Sequence, residues 1–231
     1  MKVQELSIAP ITHHTELNPN LWSNDELIPE VKLKLLRIAK HFADFLNVEK
    51  LNLKDITVSG SNAGYNYNEF SDLDLHLVVV IDSPEKVELY DAKKNVYNSR
   101  YDIKIKDIDV ELYVQDYKQA HHSAGIYSVL HNKWISKPKP GAPSVTPAEV
   151  KNKARNYAGR INQALRSDSL DAAKETMATI RKLRQAGLES GGEQSVENLA
   201  FKLLRARGQI DKLRKYIDKL ESASLSIGEQ K

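Results

Sequence analysis

The chain has no cysteine, which excludes disulfides and thiolate zinc sites and fits a reducing compartment. It has no apolar run approaching the roughly 20 residues that a membrane helix needs. Its opening MKVQELSIAPITHH lacks the apolar core of a signal peptide. These absences predict a cytoplasmic protein with no membrane partner. Also missing is a basic stripe studded with aromatics, the usual platform for stacking single-stranded bases. The 231 residues are 41% hydrophobic and 28% charged, ordinary values for a soluble globular protein of one large or two small domains.

Net charge is only +3, but it is unevenly spread: from Pro147 onward there are 17 Lys and Arg against 11 Asp and Glu. The remainder before it is net acidic. A basic tail beside an acidic half points to a polyanionic partner such as RNA, although a solvated helical surface has the same composition.

The most informative stretch is residues 56–80, ITVSGSNAGYNYNEFSDLDLHLVVV. It reads as an apolar strand, a Gly60-Ser61 corner, a polar excursion and a second strand that opens with Asp72 and Asp74. In an extended chain alternate side chains share a face, so both carboxylates point one way while Leu73, Leu75 and Leu77 enter a core. Adjacent acids repel unless a cation neutralises them. Hard oxygen ligands of this kind suit Mg2+ (or Mn2+), held by one or two carboxylates together with substrate phosphates. The Gly60-Ser61 corner offers backbone N–H groups and a hydroxyl as a phosphate seat. Together these features predict chemistry on a nucleoside triphosphate.

Around this stretch the chain reads in order. Residues before about 24 form an irregular arm that Leu21 and Trp22 pin to the core, with His13 and His14 as surface or local hydrogen-bonding residues. Periodicity predicts a helix over 26–46, capped by Asn24 or Asp25, and a strand over 55–59. A short helix and loop fill the polar excursion, and a strand over 73–81 follows. Ser83-Pro84 starts a helix reaching about residue 98. Alternating segments at 101–106 and 108–115 turn at Lys106-Asp107, and a second pair at 126–130 and 133–136 turns at His131-Asn132. Asp109, Glu111 and Tyr113 share one face of the 108–115 strand. His121 and His122 sit in a loop from which a substrate is reachable. Residues 137–147, KPKPGAPSVTP, hold four of the eight prolines and form a stiff linker. Beyond it three helices are predicted: one to about 166, one over 169–186 closed by Gly187, and one over 195–220 bent at Gly208.

The sequence of Gly-Ser, ten residues, Asp-Leu-Asp and a later Val-Glu-Leu resembles the nucleotidyltransferase superfamily. That superfamily includes DNA polymerase beta, poly(A) polymerases, CCA-adding enzymes and oligoadenylate synthases. More narrowly, HTELNPNLW, GSNAGYNYNEFSDLDLH, VELYVQD and HHSAGIYSVLHNKW resemble predicted nucleotidyltransferases of tailed phages, which implies the cytoplasm of a host cell. The superfamily motif covers residues 56–115 and the narrower likeness extends to about Pro138. The helical tail carries nothing specific.

The resemblance implies an α+β fold with a mixed sheet of about five strands, helices on one side, and a C-terminal helical bundle walling the cleft. The Pro-rich linker over 137–147 marks the division, with a catalytic domain over 1–136 before it and a helical domain over 148–231 after it. Gly60 and Ser61 then hold the triphosphate of an NTP, ATP first, and Ser71 steadies the loop or touches phosphate. Asp72 and Asp74 ligate the metal, and the third acid is Glu111, with Asp109 as runner-up on the same face. His76 shares the acidic face but is expected to pack beneath it. The implied reaction transfers NMP from the NTP to an acceptor hydroxyl, releasing pyrophosphate, with two metal ions at the attacking and leaving oxygens. A pyrophosphokinase using the same site, like the alarmone synthetases, and a catalytically silent module binding nucleic acid or protein remain as alternatives.

Overall fold

Asn24 and Asp25 do not cap the first helix. They form the two-residue turn of a hairpin between β1 (Trp22–Ser23) and β2 (Glu26–Leu27), with φ of 50° and 65°. Asn and Asp tolerate that left-handed backbone, which two-residue hairpins favour. Helix α1 therefore starts later, at Pro29, and runs to Leu46 with proline in its first turn. Its buried stripe of Val31, Leu35, Ile38, Ala39, Phe42 and Leu46 follows helical spacing, full burial of each side chain larger than alanine stabilising by about 1.5–3 kcal/mol. It ends at Asn47 in the left-handed conformation, and the Lys93 amine donates to the last carbonyl, that of Leu46.

In this computed structural model residues 14–48, 51–68, 71–120, 123, 125–140 and 145–226 are described. They divide into two compact units, one within Thr12–Ala142 and one within Pro143–Lys231. His13, His121 and His122 lie outside the described residues.

The first unit is built on a six-stranded mixed sheet: β3 (Leu53–Ser59), β4 (Leu73–Val79), β5 (Lys104–Ile105), β6 (Ile108–Asp116), β7 (Ile126–Ser128) and β8 (Lys133–Ser136). Their order across the sheet is β5-β6-β4-β3-β7-β8. Only β4 and β6 run parallel, because the intervening helix α2 (Pro84–Arg100) carries the chain back between them. Val58, Leu75, Leu77, Leu112 and their neighbours are buried on the face that meets α1 and α2. Thr57, Ser59, Asp74, His76, Glu111 and Tyr113 occupy the other face by strand alternation and register. The fold is thus α+β with a mixed sheet, as the resemblance implies. The expected short helix after Ser61 is a single 3-10 turn over Ser61–Ala63. The strand expected over 101–106 shrinks to two residues, Lys104–Ile105, and the expected turn follows at Lys106 and Asp107 with φ of 47° and 65°.

Where β5 stops, the exposed edge of β6 is taken by a side chain. Asn98 of α2 accepts a hydrogen bond from the Leu112 N–H at 3.0 Å and donates to the Leu112 carbonyl at 2.9 Å. It satisfies both groups that a further strand would have paired.

The second unit has four helices, not the three expected: α3 (Pro147–Ala164), α4 (Leu170–Gly191), α5 (Val196–Ala206) and α6 (Gln209–Leu225). Thr146 and Glu149 form a reciprocal capping box on α3, and the hydroxyls of Ser169 and Ser195 cap α4 and α5. Gly208, with φ of 67°, does not bend one helix but separates two. Gly187 does not end α4. A β-carbon there would stand 2.7 Å from Cβ of Glu197 and 2.8 Å from Oγ of Ser195, so glycine is needed inside the helix for close approach to α5. Tyr157, Ile161, Ile180, Leu203 and Leu213 are among the residues filling this unit's own core. Among the described residues no helix is long and apolar enough to cross a membrane.

Candidate metal and phosphate site

Two of the three expected acids are placed by hydrogen-bonded pairing. In the parallel ladder of β4 with β6, Asp74 stands directly opposite Glu111, flanked by Leu73 opposite Val110 and Leu75 opposite Leu112. The flanking pairs are buried. A one-residue slip of either strand would turn leucines to solvent and acids into the core, so the hydrophobic pattern fixes the register of the acids.

Asp72 lies one residue before β4 begins, beyond the ladder's reach. Its carbonyl accepts from Nδ2 of Asn62 at 2.9 Å, and the Ser71 carbonyl accepts from the same nitrogen at 3.0 Å. Asn62 is itself buried, 1% exposed. Its Oδ1 accepts from Nδ2 of Asn18 at 2.9 Å and its backbone carbonyl from Nε1 of Trp22 at 2.7 Å. The N-terminal arm, the 3-10 turn and the entrance to β4 are thereby tied together.

Asp72, Asp74 and Glu111 each present a carboxylate oxygen, and the three oxygens lie within 4.8 Å of one another. All three residues are half-buried. At such separations two unit charges repel by about 1 kcal/mol in bulk water, and by about 3–4 kcal/mol at an effective dielectric constant near 20. Three hard oxygen donors of one sign suit a divalent cation such as Mg2+ or Mn2+. The donor set therefore fits the metal that the resemblance implies.

Gly60 carries φ of 78° and ψ of −162°, a region open essentially to glycine alone. A β-carbon there would lie 2.1 Å from Oδ2 of Asp74. Glycine is thus required twice, for the backbone and for room beside an acid. The Gly60 N–H donates to Oγ of Ser123 at 3.1 Å. The Ser61 hydroxyl donates to Oγ of Ser71 at 3.0 Å, and Ser71 Oγ also accepts from the Asn68 N–H at 3.0 Å. The serines therefore knit the two ends of the polar excursion together.

Beneath the acids on the same face, Tyr113 is stacked on His76, with ring centroids 4.9 Å apart. Burial pushes the Tyr113 hydroxyl well above the usual tyrosine range. The charges of Asp74 and Glu111, a hydrogen bond to Glu111 and the charge of Asp72 add to that shift. His76 Nε2 is 3.0 Å from Oγ of Ser59. Asp109 stands apart from the three acids: it is exposed and ion-paired with Lys104 across β5 and β6. The geometry thus brings together Asp72, Asp74 and Glu111 beside Gly60, while Ser61 and Ser71, the neighbours of Gly60 and Asp72 in the chain, bond each other. His14 stacks on Tyr67 at 3.8 Å and reaches the Tyr67 carbonyl through Nε2 at 3.0 Å.

Asn62, Asn18 and Asn98 are the residues that the sequence reading passed over. A single signal for the first was available: an amide directly after Gly-Ser, where a buried turn leaves carbonyls to satisfy. Nothing in the sequence singles out Asn18 or Asn98.

No family model matches the chain, and no curated protein does. Among solved structures the chain is similar to a STING-associated CdnE c-di-GMP synthase from Capnocytophaga granulosa, at 14% identity over 86% of this chain and 84% of that one, with a TM-score of 0.25. At that score the two chains do not superpose closely, and the chemistry of the acidic site stands on its own geometry.

Proposed function

We propose that the protein is a metal-dependent nucleotidyltransferase that moves NMP from an NTP, ATP first, to an acceptor hydroxyl and releases pyrophosphate. The observation that carries this reading is the convergence of Asp72, Asp74 and Glu111, from the entrance of one strand and the bodies of two, within 4.8 Å. The three carboxylates would hold Mg2+ or Mn2+, which when bound supplies charge neutralisation at the phosphates and activates the acceptor oxygen. The turn at Gly60, Ser61 and Ser71 lies where the triphosphate tail would rest, its Gly60 N–H exchanging Ser123 for a phosphate oxygen. In the step itself the acceptor oxygen bonds to the α-phosphorus as the bond to the bridging oxygen of pyrophosphate breaks. The acceptor's proton leaves toward Glu111, whose hydrogen bond from Tyr113 holds it in place. Positioning and charge account for such a transfer with little covalent help from the protein, which is why so few residues suffice.

The acceptor in this reading is a polyanion such as RNA, suited by the excess of Lys and Arg from Pro147 onward. A cytoplasmic location and the likeness to phage-borne enzymes belong to the same proposal. Incubating the protein with Mg2+ and each α- or γ-labelled NTP against pooled RNA, protein and metabolites tests it. The α label should appear on an acceptor and the γ label in pyrophosphate, with both lost in Asp72→Asn. Release of AMP would instead identify a pyrophosphokinase. No transfer at all, with RNA affinity unchanged in Asp72→Asn, would leave only a binding module.

A further inference from the structure

We infer that Asn62 is a positioning residue that sets the metal affinity of the acidic site by fixing Asp72. This rests on the reading of the three acids as a metal site.

Asp74 and Glu111 are ladder partners, so backbone hydrogen bonds on both sides hold their spacing. Asp72 lies just outside that ladder, since β4 starts at Leu73. The side-chain amide of Asn62 grips its carbonyl, and two features make that amide an unusual anchor. Both of its donor bonds go to successive carbonyls, those of Ser71 and Asp72, at 3.0 and 2.9 Å. Successive carbonyls in a regular strand point in opposite directions, so one NH2 reaches both only where the chain bends. The pair so gripped includes the residue whose carboxylate joins those of Asp74 and Glu111. The amide is also oriented from behind: Asn18 donates to its oxygen at 2.9 Å, which settles which end of the amide faces Asp72. Trp22 fixes the Asn62 main chain at 2.7 Å. Asn62 and Asn18 are 1% and 7% exposed, so water does not substitute for either.

The arm, the turn and Asp72 form one hydrogen-bonded relay, in which the identity of residue 62 decides where the third oxygen of the metal site stands. Partners that orient metal ligands without touching the ion typically change affinity 10–100-fold when removed. That range is the expectation here.

The test is Mn2+ binding to the full chain, followed by electron paramagnetic resonance and calorimetry, in wild type, Asn62→Ala, Asn18→Ala and Asp72→Asn. Apo thermal unfolding is recorded alongside. Asn62→Ala should bind Mn2+ about 10–100-fold more weakly, with an altered Mn2+ spectrum, while its circular dichroism stays that of the wild type. Asn18→Ala, which leaves the donor amide in place but unoriented, should show a smaller loss in the same direction. A merely structural role would lower the unfolding temperature yet leave the dissociation constant of the folded fraction unchanged, and that result overturns the inference alone. If Asn62→Ala does not fold, Asn18→Ala decides by the same criterion. If the wild type itself binds no Mn2+, the metal-site reading falls and takes this inference with it.

Discussion

Glu111→Gln removes one charge from the acidic cluster while preserving shape and an oxygen that still accepts from Tyr113. In the absence of metal, Glu111 has two like-charged neighbours within 4.8 Å. Each repels it by about 0.9 kcal/mol in bulk water and about 3.5 kcal/mol at an effective dielectric constant of 20. The half-buried setting favours the lower end, so neutralising Glu111 should stabilise the metal-free protein by about 1–2 kcal/mol, a rise in Tm of roughly 3–8 °C. With metal the order should reverse. A ligand at a hundred times its dissociation constant stabilises the wild type by about 2.7 kcal/mol. A variant weakened a hundredfold gains only about 0.4 kcal/mol under the same conditions. Thermal unfolding in EDTA and then in excess Mg2+ would show the variant more stable in the first and less stable in the second. Equal shifts in both media would refute the idea that these acids share a cation. A metal-free variant less stable than wild type by more than about 1 kcal/mol would refute the repulsion.

Gly60→Ala combines a forbidden backbone region with a β-carbon 2.1 Å from Oδ2 of Asp74. It should cost about 1–3 kcal/mol in denaturant unfolding and weaken Mn2+ binding by moving Asp74. Asp109→Asn should change stability by less than about 0.5 kcal/mol, because its ion pair with Lys104 is exposed. It should leave Mn2+ affinity untouched; a loss as large as that of Glu111→Gln would exchange their roles. Burial pushes the fully enclosed Tyr97 hydroxyl up to about 12. Its neutral form is favoured in the folded state, so its contribution is intact below pH 10 and lost as pH rises from 10 toward 12. The slope should be at most about 1.4 kcal/mol per pH unit. Urea unfolding across that range should show a shallower decline for Tyr97→Phe.

The strands bearing the acids were legible because two-residue alternation is a strong signal where one face is buried. Leu73, Leu75 and Leu77 announce β4, and Val110 and Leu112 announce β6. The choice between Asp109 and Glu111 was not legible, since both share flanks and face. Register against β4 separates them: Glu111 falls opposite Asp74, while Asp109 pairs with Lys104 of β5. The helix starts at Pro84 and Pro147 follow from local capping chemistry. The misreadings share a cause in tertiary context. Gly187 looked like a helix end because its need for space comes from Glu197 and Ser195, ten and eight residues away in the chain. Asn24-Asp25 suits both a cap and a hairpin turn, and the short strands on either side decide between them. The amides of Asn18 and Asn62 meet from positions 44 residues apart, a pairing that no periodicity encodes.

The Asn98 side chain closes a vacancy in the hydrogen-bond pattern of β6 at Leu112, the residue after Glu111. A bare rim there would be a template on which a stray extended segment, from this chain or a second one, could dock. Docking would drag on the strand that carries an acid of the site. By filling that position from its own helix, the protein satisfies the strand's outer side at Leu112, next to the residue that stands opposite Asp74.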